Sequence, residues 1–126
     1  MRILLDHCVD WRLKRSLQTH YVKSAQEMGW EDLHNGELLA IAGSDFDVFL
    51  TVDQNIKSQQ NLANLPLAVV VLLAKSNRTE DLQPLIPVLE RVLLTLKLGQ
   101  LLEIDAAQQV IVVAPGRDRV NRPNQG

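Results

Sequence analysis

A length of 126 residues, of which 46% are hydrophobic, fits one domain with its own core. The single cysteine, Cys8, excludes an internal disulfide and a cysteine-rich zinc site, which favours a reducing compartment. The start reaches Asp6 after only three apolar residues, and no later apolar run reaches the roughly 18 to 20 residues of a bilayer span. We therefore expect a cytoplasmic protein without a signal peptide or a membrane anchor.

The net charge of −2 is unremarkable, but the charges are unevenly distributed. Residues 24–56 contain seven acids and no Lys or Arg, whereas residues 11–23 contain only basic charges. One interpretation is a pair of solvated faces of opposite sign. The other is an acidic, cation-attracting pocket flanked by a basic surface that meets a phosphate backbone.

The first third of the chain predicts a strand, a helix and a second strand. Residues 2–5, which contain three apolar residues in a row, predict a short strand that runs into Asp6. Residues 9–19 carry Val9, Leu13 and Leu17 at helical spacing, and residues 20–24 form the second strand. Residues 25–28 then predict one helical turn that ends at a glycine.

The middle of the chain predicts a helix between strands. Asn35 is a suitable N-cap for a helix that carries Glu37 in its first turn. Residues 46–52 form an apolar, β-branched and aromatic run that stops at Asp53. Residues 67–74 are apolar throughout, as in a central parallel strand that is covered on both faces.

The last third predicts a long helix and a hairpin. Apolar residues three and four apart predict a helix over residues 82–96, which Gly99 closes and Pro87 makes irregular at its start. Residues 101–105 and 109–113 predict a hairpin. Alternating strands and helices predict an α/β fold with three α/β/α layers around a mostly parallel sheet. We assign residues 1–113 to one domain and residues 114–126 to a flexible tail.

Three acids stand where such a fold places ligands. Asp6 and Asp53 directly follow two strands, so in a parallel sheet both emerge at the same edge. Glu37, in the first turn of its helix, is favoured there by the helix dipole. Each acid alone also fits a helix cap or a solvated loop. Three converging carboxylates need a cation, and Mg²⁺ or Mn²⁺ prefers oxygen ligands, so the sequence predicts metal-assisted hydrolysis of a phosphodiester.

Several ordered segments resemble the DUF5615 family of PIN-like proteins over about residues 1–105. They are Ile3-Leu4-Leu5-Asp6, Glu27-Met28-Gly29-Trp30, Asn35-Gly36-Glu37-Leu38-Leu39, Phe46-Asp47-Val48-Phe49-Leu50-Thr51-Val52-Asp53-Gln54-Asn55 and Leu73-Ala74-Lys75-Ser76-Asn77-Arg78. The resemblance implies a PIN-like fold and a Mg²⁺- or Mn²⁺-dependent endoribonuclease. It also implies the toxin of a toxin–antitoxin pair.

The resemblance also assigns site residues. Asp6, Glu37 and Asp53 match the acids that bind metal and carry catalysis. Thr51, Gln54 and Asn55 are assigned to substrate binding, where Thr51 supports the strand end and Gln54 and Asn55 orient water or substrate. Two departures from the family pattern stand out. No clear fourth acid lies on an early helical segment, and His7 stands where many relatives carry an acid.

Other residues are assigned from their positions. Lys75 and Arg78 follow the central strand and are candidate contacts for RNA phosphates, and His7 is a candidate for metal or phosphate. We interpret Cys8 as a buried thiol. We interpret Trp11 and Trp30 as packing residues rather than platforms for bases.

The expected function is therefore an RNA-hydrolysing enzyme. Its expected partners are RNA, a small antitoxin protein and a second copy of the chain. The alternative is a catalytically silent PIN-like module that acts through a protein partner. A dinucleotide-binding fold is disfavoured, because Asp6-His7-Cys8-Val9 lacks the glycines of its phosphate-binding turn.

Overall fold

The computed structural model describes residues 1–117 as an α/β fold with one six-stranded sheet. The strands are β1 Arg2–Leu5, β2 Tyr21–Ser24, β3 Val48–Thr51, β4 Ala68–Leu73, β5 Leu98–Asp105 and β6 Val110–Arg117. The α-helices are α1 Asn35–Ala42, α2 Ile56–Gln59, α3 Thr79–Leu82 and α4 Ile86–Leu93. The predicted α/β class, with a mostly parallel sheet and a C-terminal hairpin, is confirmed.

The order of the strands across the sheet is β2-β1-β3-β4-β5-β6. The strands from β2 to β5 pair in parallel, and β6 pairs antiparallel with β5. From β1 the chain moves to β2 on one side and then returns to β3 on the other. This reversal makes the carboxyl ends of β1 and β3 the topological switch point, where α/β sheets form a crevice.

Helices cover the sheet on both faces. Neighbouring residues of each buried strand point to opposite sides of the sheet, so each face has its own apolar core. Leu5 and Leu50 belong to the core on one face, together with residues of α4. Leu4 and Phe49 belong to the core on the other face, together with residues of α1. No helix within residues 1–117 combines the length and the apolar character that crossing a membrane requires.

The helix predicted over residues 9–19 is wrong in type and length. The segment forms a 3₁₀ helix, Trp11–Ser16, with turns that close by backbone bonds to the residue three before, as in Leu13 N–H to Asp10 C=O. Val9, Leu13 and Leu17 are nevertheless buried. The turn predicted at residues 25–28 is not helical, although Gly29 does adopt the left-handed conformation, with φ of 75°.

The long helix predicted over residues 82–96 is broken into three pieces. A 3₁₀ turn, Gln83–Leu85, separates α3 from α4, as expected near prolines that cannot donate a backbone hydrogen bond. The helix ends at Leu93, and Gly99 lies inside β5. The strand β6 continues to Arg117, so residues 114–117 of the predicted tail belong to the sheet. The rest of that tail, residues 118–126, lies outside the described residues.

Candidate metal and phosphodiester site

The ends of β1 and β3 bring Asp6 and Asp53 to the same edge of the sheet. The two strands pair in parallel, with Leu5 opposite Leu50. The backbone N–H of Asp6 continues this pairing by donating to Leu50 C=O at 2.9 Å. Both acids line one cavity of about 570 Å³ at the switch point. The predicted proximity of these two acids is therefore confirmed.

The Asp6 side chain is buried, and both of its carboxylate oxygens have hydrogen-bond donors. Only 2% of Asp6 is exposed. Its Oδ2 accepts from Thr51 Oγ1 at 2.7 Å and from Cys8 Sγ at 3.4 Å. Its Oδ1 accepts from the His7 backbone N–H at 2.8 Å and lies 3.0 Å from His7 Nδ1. These donors offset the cost of removing the carboxylate from water.

Thr51 connects the two acids through one hydroxyl group. The hydroxyl donates to Asp6 Oδ2 and accepts from the Asp53 backbone N–H at 3.0 Å. The residue is fully buried, and it is not among the residues that line the cavity. The assignment of Thr51 to substrate binding is corrected, because its burial makes it a positioning residue beneath the site.

Asp53 is held by the turn after β3 and by the start of α1. Its Oδ1 accepts from the Asn55 backbone N–H at 2.9 Å, and its Oδ2 accepts from Asn35 Nδ2 at 3.3 Å. The prediction of Asn35 as an N-cap is wrong, because His34 occupies the cap position and Asn35 is the first helical residue. The side-chain amide of Asn35 instead donates a hydrogen bond to Asp53.

Glu37 does not join the two aspartates at the cavity. Asn35 and Gly36 line the cavity, whereas Glu37 is exposed and is not among the lining residues that the structure describes. Successive helical residues point about 100° apart, so the turn that presents Asn35 directs the side chain two positions later elsewhere. Within residues 1–117, no group of three or more His, Cys, Asp or Glu side chains is arranged to hold a metal ion.

The other predicted contacts are dispersed around the site. Gln54 and Asn55 are exposed in the turn after Asp53, and neither side chain lines the cavity. Lys75 and Arg78 are exposed after β4. Arg78 lines a separate cavity that also includes His7. Among these residues, His7 alone lines the cavity of the two acids.

Besides Asn35, three polar residues of the cavity wall were not assigned to the site from the sequence. They are His34, Gln59 and Gln60. His34 precedes α1, and the two glutamines lie at the end of α2. Their sequence signal is weak, because polar residues in short connections are common and only the chain path brings these connections over the strand ends.

Cys8 lies in the cavity wall but lacks the features of a nucleophile. Burial raises the pKa of its thiol above the usual range, and the nearby charge of Asp6 raises it further. A raised pKa keeps the group as a thiol at neutral pH. The interpretation of Cys8 as a buried thiol is thus correct only in part, because the residue is half-buried, although its raised pKa fits an unreactive group.

Two aspartates at one cavity fit a hard divalent cation. None of the ion pairs found within residues 1–117 joins Asp6 or Asp53 to a Lys or Arg side chain. Mg²⁺ is commonly bound by one or two carboxylates together with substrate phosphates and waters. The oxygen donors of these two acids are therefore of the type that Mg²⁺ or Mn²⁺ prefers. No protein-family model, curated protein or solved structure matches the chain.

Proposed function

We propose that this chain is a divalent-metal-dependent ribonuclease of PIN-like type that hydrolyses RNA phosphodiesters, and that it is the toxin of a toxin–antitoxin pair. The observation that supports the activity is the meeting of Asp6 and Asp53 at the switch-point cavity, where Thr51 connects them. The family resemblance supports the choice of RNA and of an antitoxin partner.

Asp6 and Asp53 would hold Mg²⁺ or Mn²⁺ through their carboxylate oxygens. When bound, such a cation stabilises negative charge on a phosphate and makes water more acidic. Thr51 fixes Asp6 by donating to its Oδ2, and Asn35 fixes Asp53 by donating to its Oδ2. Ligands that are oriented in this way need little rearrangement when the metal and the phosphate arrive.

His7 is the group of this site that would exchange a proton with the substrate. Its side chain is 55% exposed, and its Nδ1 lies 3.0 Å from Asp6 Oδ1. That contact orients the ring and leaves Nε2 for a phosphate oxygen or a leaving hydroxyl group. A histidine at this position would thus replace the acid that many relatives of the DUF5615 family carry.

The test is hydrolysis of a mixed RNA pool by the purified protein in Mn²⁺. The wild-type protein should cleave the RNA, a chelator should stop cleavage, and Asp53→Asn should remove it. Asp45→Asn is the matched control, since Asp45 is exposed and does not line the cavity. Cleavage that persists in chelator, or that is equal in Asp53→Asn and the wild type, would contradict the proposal.

A specific feature favours the alternative of a catalytically silent module that binds a protein. The strand β6 forms one edge of the sheet, and Val110, Ile111 and Val112 are exposed on it. Exposed apolar edge strands pair readily with another chain. The partner would be an antitoxin or a second copy of this chain. Sedimentation should then show a complex that Val112→Lys disrupts, while no RNA pool is cleaved.

A further inference from the structure

Trp11 is an exposed aromatic side chain with no role in the core. It is 56% exposed, whereas Val9, Leu13 and Leu17 of the same segment are buried. The other tryptophan, Trp30, packs edge-on against Phe46, with ring centroids 6.2 Å apart. Our interpretation of both tryptophans as packing residues therefore fits Trp30 and is wrong for Trp11.

Basic side chains lie near Trp11, and several of them are paired with acids. The guanidinium carbon of Arg15 lies 5.5 Å from the centroid of the indole, a cation–π contact that restrains the ring. Arg12 and Lys14 belong to the same 3₁₀ helix, where Arg12 pairs with Asp10 at 3.2 Å and Lys14 pairs with Glu27 at 2.8 Å.

Arg78 lines a cavity that Trp11 also lines. Arg78 forms an exposed ion pair with Glu80 at 3.4 Å. Exposed ion pairs of this kind contribute little to stability, so the Arg78 side chain can exchange Glu80 for solvent or a ligand.

A continuous surface joins Trp11 to the two aspartates. A cavity of about 290 Å³ is lined by Trp11 and Arg78, and it shares His7 and Cys8 with the cavity that contains Asp6. A third cavity, of about 390 Å³, shares Trp11 with the second and is lined by Lys14 and Glu27, which form an ion pair at 2.8 Å. The path therefore runs from the acids, past His7, over Trp11 and on to this ion pair.

Hydrogen bonds hold the floor of this path in place. Gln26 Nε2 donates to His7 C=O at 3.2 Å, and Asn77 Nδ2 donates to Cys8 C=O at 3.1 Å. Thr79 Oγ1 donates to Asp10 Oδ2 at 2.9 Å, which ties the start of α3 to the start of the 3₁₀ helix. The surface is therefore organised before any ligand binds.

We propose that this surface binds the nucleotides that flank the cleaved bond of a single-stranded RNA, with a base stacked on Trp11 and a phosphate bound by Arg78. An exposed aromatic ring beside arginine side chains is an arrangement that binds single strands, because stacking on a side chain requires an unpaired base. The inference rests on the proposed function for its choice of RNA, and it adds the location and the strandedness of the substrate.

The test for Trp11 is fluorescence anisotropy of a short, labelled, single-stranded RNA in EDTA, where hydrolysis does not interfere. Trp11→Ala should weaken binding by at least about fivefold, the lower range for one base stacked on an aromatic side chain. Trp11→Phe should recover most of the affinity. Ile41→Ala is the matched control, because Ile41 is an exposed apolar residue on α1, outside the three cavities.

The test for Arg78 is the dependence of the same binding on salt. Arg78→Ala should reduce the slope of log affinity against log salt by about 0.7, the value for one phosphate contact on a single strand. Arg91→Ala should not change the slope, since Arg91 is exposed on α4 and outside the three cavities. Equal binding by Trp11→Ala and the wild type, or equal binding of duplex RNA, would overturn the inference.

A second assay separates this inference from the proposed function. Bis(p-nitrophenyl) phosphate is a phosphodiester without bases, and its hydrolysis in Mn²⁺ reports on the two aspartates alone. If this ester is hydrolysed but RNA binding does not depend on Trp11, the inference fails and the proposed function stands. If RNA binding in EDTA depends on Trp11 but neither RNA nor the ester is hydrolysed, the proposed function fails and the binding surface stands.

Discussion

The switch-point crevice and the exposed first turn of α1 each present an acid near the same cavity, but they fix it differently. In the crevice, Asp6 is 2% exposed and has donors at both carboxylate oxygens. In the first turn of α1, Glu37 is exposed and outside the cavity wall that the structure describes. The sheet fixes the position of a residue that directly follows a strand. The direction of a side chain on a helix also depends on how that helix is rotated about its axis.

This difference predicts a ranking of effects. Residues of the crevice share hydrogen bonds, so replacing one should disturb both acids. A residue of the first turn of α1 that has no contact with the crevice should be replaceable at little cost.

Asp6→Asn should produce the largest loss of activity. The substitution keeps the shape of the side chain but removes the charge that a divalent cation requires. Hydrolysis of RNA in Mn²⁺ should fall by more than about 100-fold, the upper range for losing a residue that only supports a metal ligand. Initial rates at saturating RNA measure the effect. Asp45→Asn serves as the control, and an Asp6→Asn protein with wild-type rates would break the comparison.

Thr51→Val should destabilise the fold, since it leaves a buried acceptor and the Asp53 N–H without their shared partner. The expected loss is about 1–3 kcal/mol in the free energy of unfolding. Urea unfolding at neutral pH measures it, and Thr51→Ser should restore most of the loss. Thr95→Val, at an exposed position, should stay within about 0.5 kcal/mol of the wild type. Equal losses of stability in Thr51→Val and Thr95→Val would show that the hydrogen bonds of the Thr51 hydroxyl do not stabilise the fold.

The strand ends were predictable because apolar runs and the acids after them mark where strands stop. The run that became β4 is apolar at every position, and Asp6 follows β1 directly, so the shared edge followed from parallel pairing alone. The bridging role of Thr51 was not predictable in detail. It depends on a side-chain rotamer between two buried strands, which residue spacing does not specify.

The exposed surface was much harder to predict from the sequence. The spacing of Val9, Leu13 and Leu17 correctly marked the buried side of its segment, but it did not distinguish an α-helix from a 3₁₀ helix. It therefore gave no reason to place Trp11 in solvent. The prediction that Glu37 joins the two aspartates failed for a related reason. A residue in the first turn of a helix can point toward or away from a crevice that lies beyond the helix end.

Asn35→Ala should have a smaller effect that acts through Asp53. Its amide donates to Asp53 Oδ2 at 3.3 Å, so the variant should leave this ligand less well oriented. We expect hydrolysis to fall by about 10-fold, with a higher Mn²⁺ concentration needed for half-maximal activity. Titration of Mn²⁺ in the RNA assay measures both quantities. Asn64→Ala, at an exposed position, is the control, and an unchanged Mn²⁺ requirement in Asn35→Ala would contradict this role.

Outside the crevice, a substitution of Glu27 tests whether a surface acid stabilises the fold through its hydrogen-bond and ion-pair partners. The Lys14 ammonium, at 2.8 Å, and the Ser24 backbone N–H lower the pKa of its carboxyl group below the usual 4.5. A lowered folded-state pKa means that this stabilisation is present above the unfolded-state value and is lost as pH falls through the folded-state value. Glu27→Gln should therefore be less stable than the wild type at about pH 7, and the difference should shrink at about pH 3. Urea midpoints at both pH values measure this, and a difference that grew in acid would have the wrong sign.

Glu37→Gln should have the smallest effect, although the family resemblance assigns Glu37 to the metal. Its side chain is exposed in the first turn of α1, and Asn35 and Gly36 occupy the part of that turn which lines the cavity. In the proposed site, two aspartates with waters and a substrate phosphate would be enough to bind Mg²⁺. Activity should therefore remain within about twofold of the wild type, the range of an exposed substitution that changes the free energy by less than about 0.5 kcal/mol. Rates of RNA hydrolysis across a Mn²⁺ titration measure it. A loss as large as that of Asp6→Asn would mean that α1 rotates to bring Glu37 to the cation, and the crevice would then be only part of the site.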